Sequence, residues 1–155
     1  MDSVRIDEVD PREPVAQRAL TAYAQEVRDA AGLAALDVDA ALKDVDGFLD
    51  PRGFFLVATC AGGVVGCIGV RAHSAPDAEI KRMWVAPDRR GGGLAVELLT
   101  QTEQRAMALG YARIVLDTNG ALTAALRFYD RHGYRPIERY NDNPDATHFF
   151  AKDLV

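Results

Sequence analysis

The sequence is poor in the residues that build metal centres, disulfide frameworks and covalent intermediates. It contains two cysteines, Cys60 and Cys67, three histidines that are far apart, and two serines. No CxxC motif or metal-like histidine spacing occurs, so we expect no metal site. Both cysteines lie in apolar segments and are expected to be buried free thiols, with a disulfide as the weaker alternative. Neither serine lies in a nucleophile elbow, which makes covalent catalysis an unattractive mechanism.

Long apolar runs and an excess of basic residues are also absent. No run approaches the roughly 18 residues of a membrane span, and the acidic start MDSVRIDEVDPREP is unlike a secretory signal. We therefore expect a cytoplasmic protein without a membrane partner. The net charge of −5 argues against a nucleic-acid partner and mildly favours amine substrates.

The 155 residues, of which 48% are apolar, suit a single domain over residues 1–155. Seven segments have strand patterns: 3–9, 54–60, 64–70, 78–85, 112–117, 134–140 and 148–154. Four segments have helical patterns: 14–31, 37–45, 92–109 and 121–132. Because a helix connects the fourth strand to the fifth, these two strands should be parallel, and a bulge is expected to interrupt the fourth. The pattern predicts an α+β domain with a mixed sheet.

The segment MWVAPDRRGGGLAVELL, residues 83–99, joins a strand pattern to a helix pattern through two arginines and three glycines. The first amides of a helix lack partners inside the helix, and they carry partial positive charge. Glycines let a ligand approach this backbone closely, and arginine suits phosphate oxygens. The turn therefore predicts a pyrophosphate site. Gly93 precedes Leu94 and Ala95 rather than the Lys-Ser/Thr of a P-loop, and a solvated flexible turn is the alternative.

Three motifs, in order along the chain, resemble the GNAT superfamily of acyl-CoA-dependent N-acyltransferases. RGGGLA fits the signature Arg/Gln-x-x-Gly-x-Gly/Ala, AEIKRMWVAP resembles the fourth strand, and FYDRHGYRPI resembles the helix that ends in Tyr-x-x-x-Gly-Phe/Tyr. EIKRMWV, LDTN and YNDNP together resemble a bacterial, small-molecule-type branch. The resemblance implies about seven mostly antiparallel strands, with parallel, splayed strands 4 and 5, and about four helices.

The same resemblance implies where acetyl-CoA binds. The amides of residues 91–95 and the side chain of Arg90 would hold the pyrophosphate, and the backbone near Val85 would pair with the pantetheine arm. Many members have Asn or Gln seven residues before the motif tyrosine; Leu122 stands there, and Asn119 nearby is the substitute we consider. The expected cofactor-binding residues are Met83, Trp84, Val85, Arg90, Gly91, Gly92, Gly93, Leu94, Ala95 and Asn119.

The expected catalytic residues are Tyr129 and Glu79. Tyr129 matches the general acid of the superfamily, and a phenol with a pKa near 10 stays protonated and able to donate. An attacking amine must be neutral, and the resemblance places a general base at Glu79 in some members. An ion-paired, purely structural carboxylate at Glu79 is the equal alternative.

The expected reaction is direct acetyl transfer to a primary amine of a small molecule, such as an amino acid, a polyamine or an amine metabolite. Acetylation of proteins or peptides and a non-catalytic acyl-CoA-binding module are the alternatives, and a homodimer is one option for assembly. The expected acceptor contacts are Tyr23, Glu26, Lys81, Asp117, Tyr140 and Asn141, with Arg28, Arg82, Asn143 and His148 as further candidates.

Overall fold

A computed structural model describes residues 3–32, 38–49 and 51–154. Its helices are α1 (Pro14–Ala30), α2 (Val38–Lys43), α3 (Leu94–Ala108) and α4 (Thr123–Arg131), with 3₁₀ turns at Asp46–Phe48 and Pro87–Arg89. Its strands are β1 (Arg5–Glu8), β2 (Phe54–Cys60), β3 (Gly63–Ala72), β4 (Asp77–Val85), β5 (Arg113–Thr118), β6 (Arg135–Pro136) and β7 (His148–Asp153). No described helix has the length and apolar character needed to cross a membrane.

The strands form one sheet in the order β1-β2-β3-β4-β5-β7-β6. Neighbouring strands are antiparallel except β4 and β5, which are parallel. Helix α3 makes the connection from β4 back to the start of β5, as a parallel pair requires. The predicted mixed sheet with parallel strands 4 and 5 is therefore confirmed.

The two faces of the sheet bury different side chains. Because side chains alternate along a strand, Leu56 faces α3 and α4, whereas Phe55 faces α1. The α3–α4 face also buries Ile68, Ile80, Leu98, Ile114 and Leu116, and the α1 face buries Ala16, Leu20, Val57, Cys67 and Trp84. Both cysteines are buried thiols rather than halves of a disulfide, as expected from their apolar surroundings.

A bulge in β4 separates this strand from β5. Cys67 of β3 pairs with Trp84 and Gly69 pairs with Lys81, so β4 has one residue more than β3 in this interval. The extra residue falls at Arg82, which has a left-handed φ of 61°. Pairing with β5 stops at Ile80, so residues 81–85 have no partner in β5, and of these residues Lys81, Trp84 and Val85 pair with β3. The expected bulge and the splay of strands 4 and 5 are both present.

The sixth strand differs most from its prediction, since residues 134–140 were expected and Arg135–Pro136 form it. Pro136 has no amide hydrogen to donate, and the amide of Ile137 makes one further bond to the next strand, to the carbonyl oxygen of Phe149 at 2.8 Å. The guanidinium of Arg139 then donates to the carbonyl oxygens of Asn141, Asn143 and Ala146, which folds residues 139–146 into a loop.

Two helices begin later than their patterns predicted. Helix α3 begins at Leu94 rather than residue 92, because Gly91 and Gly93 have φ values of 85° and 90°. Helix α4 begins at Thr123 rather than residue 121, because Asn119 accepts a hydrogen bond from the amide of Ala121 at Oδ1 and one from the amide of Leu122 at its carbonyl oxygen. The expected N-cap of the second helix, residue 37, lies outside the described residues.

We expect Gly53→Ala to destabilise the fold strongly. A Cβ at residue 53 would lie 2.0 Å from the carbonyl oxygen of Gly47 and 2.7 Å from that of Val70. Because both contacts are with backbone atoms, the main chain at these residues would have to move to accommodate an alanine. The free energy of unfolding should fall by at least about 2 kcal/mol in a urea titration. The control is Gly63→Ala, whose Cβ would lie 3.7 Å from its nearest neighbour, the carbonyl oxygen of Cys60. Equal stability of the two variants would contradict this packing.

Candidate active site

A cavity of about 690 Å³ opens where β4 and β5 separate. Residues of α1 and α2 line one side, residues of α4 line another, and the loop after β6 lines a third. The bulge lets four consecutive residues, Ile80 to Met83, contribute to its wall. Predicted site residues that line it are Tyr23, Lys81, Arg82, Met83, Asp117, Asn119, Tyr129, Asn141 and Asn143.

Lys81 and Asp117 form a nearly buried ion pair in the cavity wall. The Nζ atom of Lys81 lies 2.9 and 2.8 Å from the two carboxylate oxygens of Asp117, and the side chains are 12% and 6% exposed. The side-chain amides of Asn141 and Asn143 donate to the same carboxylate at 2.6 and 3.3 Å. Burial alone would raise the pKa of Asp117, but Lys81 and these donors outweigh it, and the pKa is lowered.

Glu79 is also buried, at 3% exposure, but it does not line the cavity. Its carboxylate accepts a hydrogen bond from Nε of Arg71 at 2.9 Å and one from the hydroxyl of Tyr140 at 2.6 Å, with Nζ of Lys81 at 3.7 Å. Burial and the bond to Glu79 raise the pKa of Tyr140. Glu79 and Tyr140 therefore lie behind the cavity wall, in the arrangement of an ion-paired structural carboxylate.

Tyr129 projects from α4 into the cavity and is 6% exposed. Burial raises its pKa, so the phenol is protonated at neutral pH. The hydroxyl donates to Sδ of Met83 at 3.3 Å. A thioether is a weak acceptor, so this proton can be given to a stronger one at little cost. The geometry suits a proton donor between the separated strands.

Tyr23 reaches the cavity from α1. Burial raises its pKa, while Arg82 lowers it and Asp117 raises it further. No described residue forms a hydrogen bond with its hydroxyl. A phenol held in this way can donate to, or accept from, a molecule in the cavity.

The turn before α3 forms an open anion cradle. The amides of residues 91–95 donate to no described acceptor, and a Cβ at Gly91 or Gly93 would meet no atom within 4 Å. Nε of Arg90 donates to the carbonyl oxygen of Val85 at 3.1 Å, and its Nη2 pairs with Glu26 of α1. The helix N-terminus therefore has free donors and one arginine beside it, as an anion site needs.

Several predicted residues have other partners or positions. The Trp84 side chain packs on the α1 face, so only its backbone can face β5. Glu26 lies outside the large cavity and pairs with Arg90. Asn119 lines the cavity, but its side chain donates to the carbonyl oxygen of Asp145 and accepts from the amide of Ala121. His148 contacts its neighbour Thr147 outside the cavity.

Sequence reasoning missed Arg71, which lines the cavity from β3 and neutralises Glu79. The two residues are directly opposite each other in the β3–β4 ladder, and opposite charges favour such a pair. Aligning the two predicted strands across their turn could have identified it. Within the described ranges, no group of three or more His, Cys, Asp or Glu residues is placed to hold a metal ion.

Comparison with known proteins identifies the family of this chain. The model of the acetyltransferase (GNAT) family matches residues 15–134. An uncharacterized N-acetyltransferase of Schizosaccharomyces pombe is 38% identical over 96 residues, which are 61% of this chain and 59% of that protein. An IAA acetyltransferase of Azospirillum brasilense is 32% identical over 117 residues, which are 73% of this chain and 76% of that protein. The chain therefore belongs to the acetyltransferase (GNAT) family.

Solved structures share the fold over nearly the whole chain. An acetyltransferase of the GNAT family from Staphylococcus aureus has a TM-score of 0.86 at 20% identity and covers 99% of this chain and 100% of its own. An aminoglycoside 6'-N-acetyltransferase complexed with coenzyme A has a TM-score of 0.72 at 17% identity and covers 97% of each chain. The seven-stranded sheet with parallel β4 and β5 is thus the fold of this family.

We expect Lys81→Met to lower the free energy of unfolding by about 3 kcal/mol at pH 7, because Asp117 would be left buried without its cation. In the wild type, the lowered pKa of Asp117 adds stability above its unfolded pKa near 4, and this is lost as pH falls through the folded value. In the variant Asp117 can take up a proton, so the deficit should shrink towards about pH 4.

Urea unfolding at neutral and acidic pH measures this deficit. Lys43→Met, at the exposed end of α2, is the matched control and should cost little at either pH. A deficit for Lys81→Met that is the same at both pH values would show that lost packing, rather than the charge on Asp117, causes it.

Proposed function

We propose that this member of the acetyltransferase (GNAT) family transfers an acetyl group from acetyl-CoA directly to a primary amine of a small molecule. The observation that carries this is the unpaired edge of β4 after Ile80. It connects the open cradle before α3 with the cavity that holds Tyr129. A donor that is anionic at one end and reactive at the other fits this path.

The donor's pyrophosphate would bind the free amides of residues 91–95 and the guanidinium of Arg90. The pantetheine arm, which has amide groups, would pair as an added strand with the edge of residues 83–85 that has no β5 partner. A protein with the same fold forms a complex with coenzyme A, which supports an acyl-CoA as the donor. Glu26 would have to release Arg90, so the donor competes with an existing ion pair.

The transfer itself would use Tyr129 as the proton donor. A neutral amine, having given its proton to water in the cavity, attacks the thioester carbonyl. The carbon–nitrogen bond forms, the carbon–sulfur bond breaks, and the nitrogen loses a second proton to water as the amide forms. The leaving thiolate takes the phenolic proton of Tyr129, which solvent restores. The hydroxyl exchanges the weak acceptor Met83 for a thiolate, which is the stronger partner.

In this scheme Glu79 would hold neighbouring residues in place and would not transfer a proton. It lies behind the cavity wall, where it holds Arg71 and Tyr140 and lies near Lys81. Through these contacts it would fix the wall on which the acceptor rests. We therefore propose Glu79 as a positioning residue, in place of the general base that the family resemblance implies for some members.

The cavity favours a small acceptor over a peptide. Its volume of about 690 Å³ falls within the range of pockets for small molecules. The loop after β6 closes one side, since Asn141 and Asn143 are bonded to Asp117 beneath it. An IAA acetyltransferase and an aminoglycoside 6'-N-acetyltransferase are among the similar proteins, and the aminoglycoside named in the second is a small molecule, which supports the same class.

Tyr129→Phe should slow turnover by a factor of at least about ten, and up to about a thousand, because the thiolate loses its proton donor. Thiol release with acetyl-CoA and a panel of amines measures turnover, and calorimetry should find acetyl-CoA binding unchanged. Tyr111→Phe is the control, since that hydroxyl bonds to the carbonyl oxygen of Arg52 outside the cavity. Full turnover in Tyr129→Phe would remove this residue from the mechanism.

Opposite effects on donor binding are expected at Arg90 and Glu26. Arg90→Glu replaces a charge-assisted contact with repulsion, so the Kd for acetyl-CoA should rise at least about tenfold. Glu26→Gln frees the arginine from its ion pair, so the Kd should fall. Calorimetric titration measures the Kd for acetyl-CoA in each variant, and Arg18→Glu on the exposed side of α1 is the control. If both variants bind acetyl-CoA like the wild type, Arg90 is not part of the donor site.

A further inference from the structure

The guanidinium of Arg82 is a cation in the cavity wall without an ion-pair partner among the described residues. Its Nε donates to the carbonyl oxygen of Ala41 at 3.4 Å, and its Nη2 donates to that of Asp44 at 3.2 Å. The guanidinium carbon lies 5.4 Å from the centre of the Phe48 ring. Contacts with neutral groups hold the side chain in place and leave the other N–H donors of the guanidinium free.

The other cations of the cavity wall have carboxylate partners. Lys81 is bonded to both oxygens of Asp117, and Arg71 is paired with Glu79 and lies 3.8 Å from Asp44. These two therefore contribute little net charge to the cavity. Arg82 is left as the site where the wall can attract an anion.

The backbone conformation of Arg82 also indicates that its side chain has a function. Its φ of 61° is a left-handed conformation that glycine or asparagine adopts at lower cost. The bulge at this residue also redirects the side chain into the cavity. An arginine held in a costly conformation and aimed at a cavity indicates a role for its guanidinium.

Of the acidic residues that line the cavity, Asp44 lies beside Arg82 with its carboxylate 3.8 Å from Arg71, and two others lie on the loop after β6. Asp142 and Asp145 line it from the loop after β6, whereas Arg82 is anchored to the backbone near α2. Asp117, the remaining acid near that loop, is already paired with Lys81. The loop after β6 thus presents acids, and Arg82 presents a cation without an ion-pair partner in the described part of the chain. Together they complement a molecule that carries both charges.

We propose that Arg82 binds a carboxylate of the acceptor, so that the substrate class is an amino acid or another aminocarboxylate. The carboxylate pairs with the guanidinium, and the amino group lies towards Tyr129 and the acidic loop. This inference rests on the proposed acetyl transfer, and it adds the chemical class of the acceptor. A plain alkylamine lacks the group that Arg82 would bind.

Matched acceptors test the class of substrate. Thiol release from acetyl-CoA is measured with amino acids, with their carboxamides and with the corresponding decarboxylated amines, for example leucine, leucinamide and 3-methylbutylamine. We expect kcat/KM to be at least about tenfold higher for the best amino acid than for its amide and its amine. Equal or better use of the amide or the amine would overturn the inference.

Variants of Arg82 test whether this residue binds the carboxylate of the acceptor. Arg82→Gln should raise KM for the best amino acid at least about tenfold while leaving the values for its amide and amine nearly unchanged. Arg82→Lys keeps the charge but loses the fork of donors, so its KM for the amino acid should lie between those of the wild type and Arg82→Gln. Arg18→Gln, on the exposed side of α1, is the control. A loss in Arg82→Gln that is equal for all three acceptors would assign Arg82 a structural role and overturn the proposal.

A binding measurement separates this inference from the proposed function. If no amine supports thiol release, the proposed acetyl transfer is wrong. Calorimetry with N-acetyl amino acids and their amides then tests separately whether Arg82 binds a carboxylate. Binding of the N-acetyl amino acid that is weakened tenfold in Arg82→Gln supports a carboxylate site. Equal binding of the acid and its amide, or no binding of either, overturns it.

Discussion

The separation of β4 from β5 is the constraint on which the rest of the structure depends. Parallel pairing ends at Ile80, and the bulge at Arg82 turns the strand before it reaches the glycine turn. The backbone amides and carbonyl oxygens of an unpaired strand edge need hydrogen-bond partners. Here this edge faces a cavity, where a bound molecule can supply them. The open turn before α3, Tyr129 on α4 and the cavity all lie along this gap.

Buried charges keep the gap in shape. Lys81 connects Asp117 on β5 with the neighbourhood of Glu79, and Tyr140 brings the loop after β6 onto the same cluster. Breaking one partner of such a cluster leaves an uncompensated charge, so the cluster specifies one arrangement of strands and loop. In the described part of the chain, the same pairing leaves Arg82 as a wall cation bonded only to carbonyl oxygens, and our proposal for the acceptor rests on this difference.

The sequence was informative where local chemistry decides the structure, and less so where distant residues do. The order of strands and helices, the hairpin turn, the parallel pair and the glycine turn could be predicted from periodicity and from Gly91 to Gly93. The short β6 could not, because Arg139 and Tyr140 leave the sheet for partners that adjoin them only in the fold. The burial of Glu79 behind the wall likewise depends on the register that pairs it with Arg71.

Amide hydrogen exchange with and without acetyl-CoA tests the central claim most directly, that the free edge of β4 and the turn before α3 together receive the donor. The account predicts slower exchange in residues 83–85 and 91–95 once acetyl-CoA is bound, with the β1–β2 pair as an internal reference that does not change. Calorimetric binding of acetyl-CoA without added protection in either segment would contradict it.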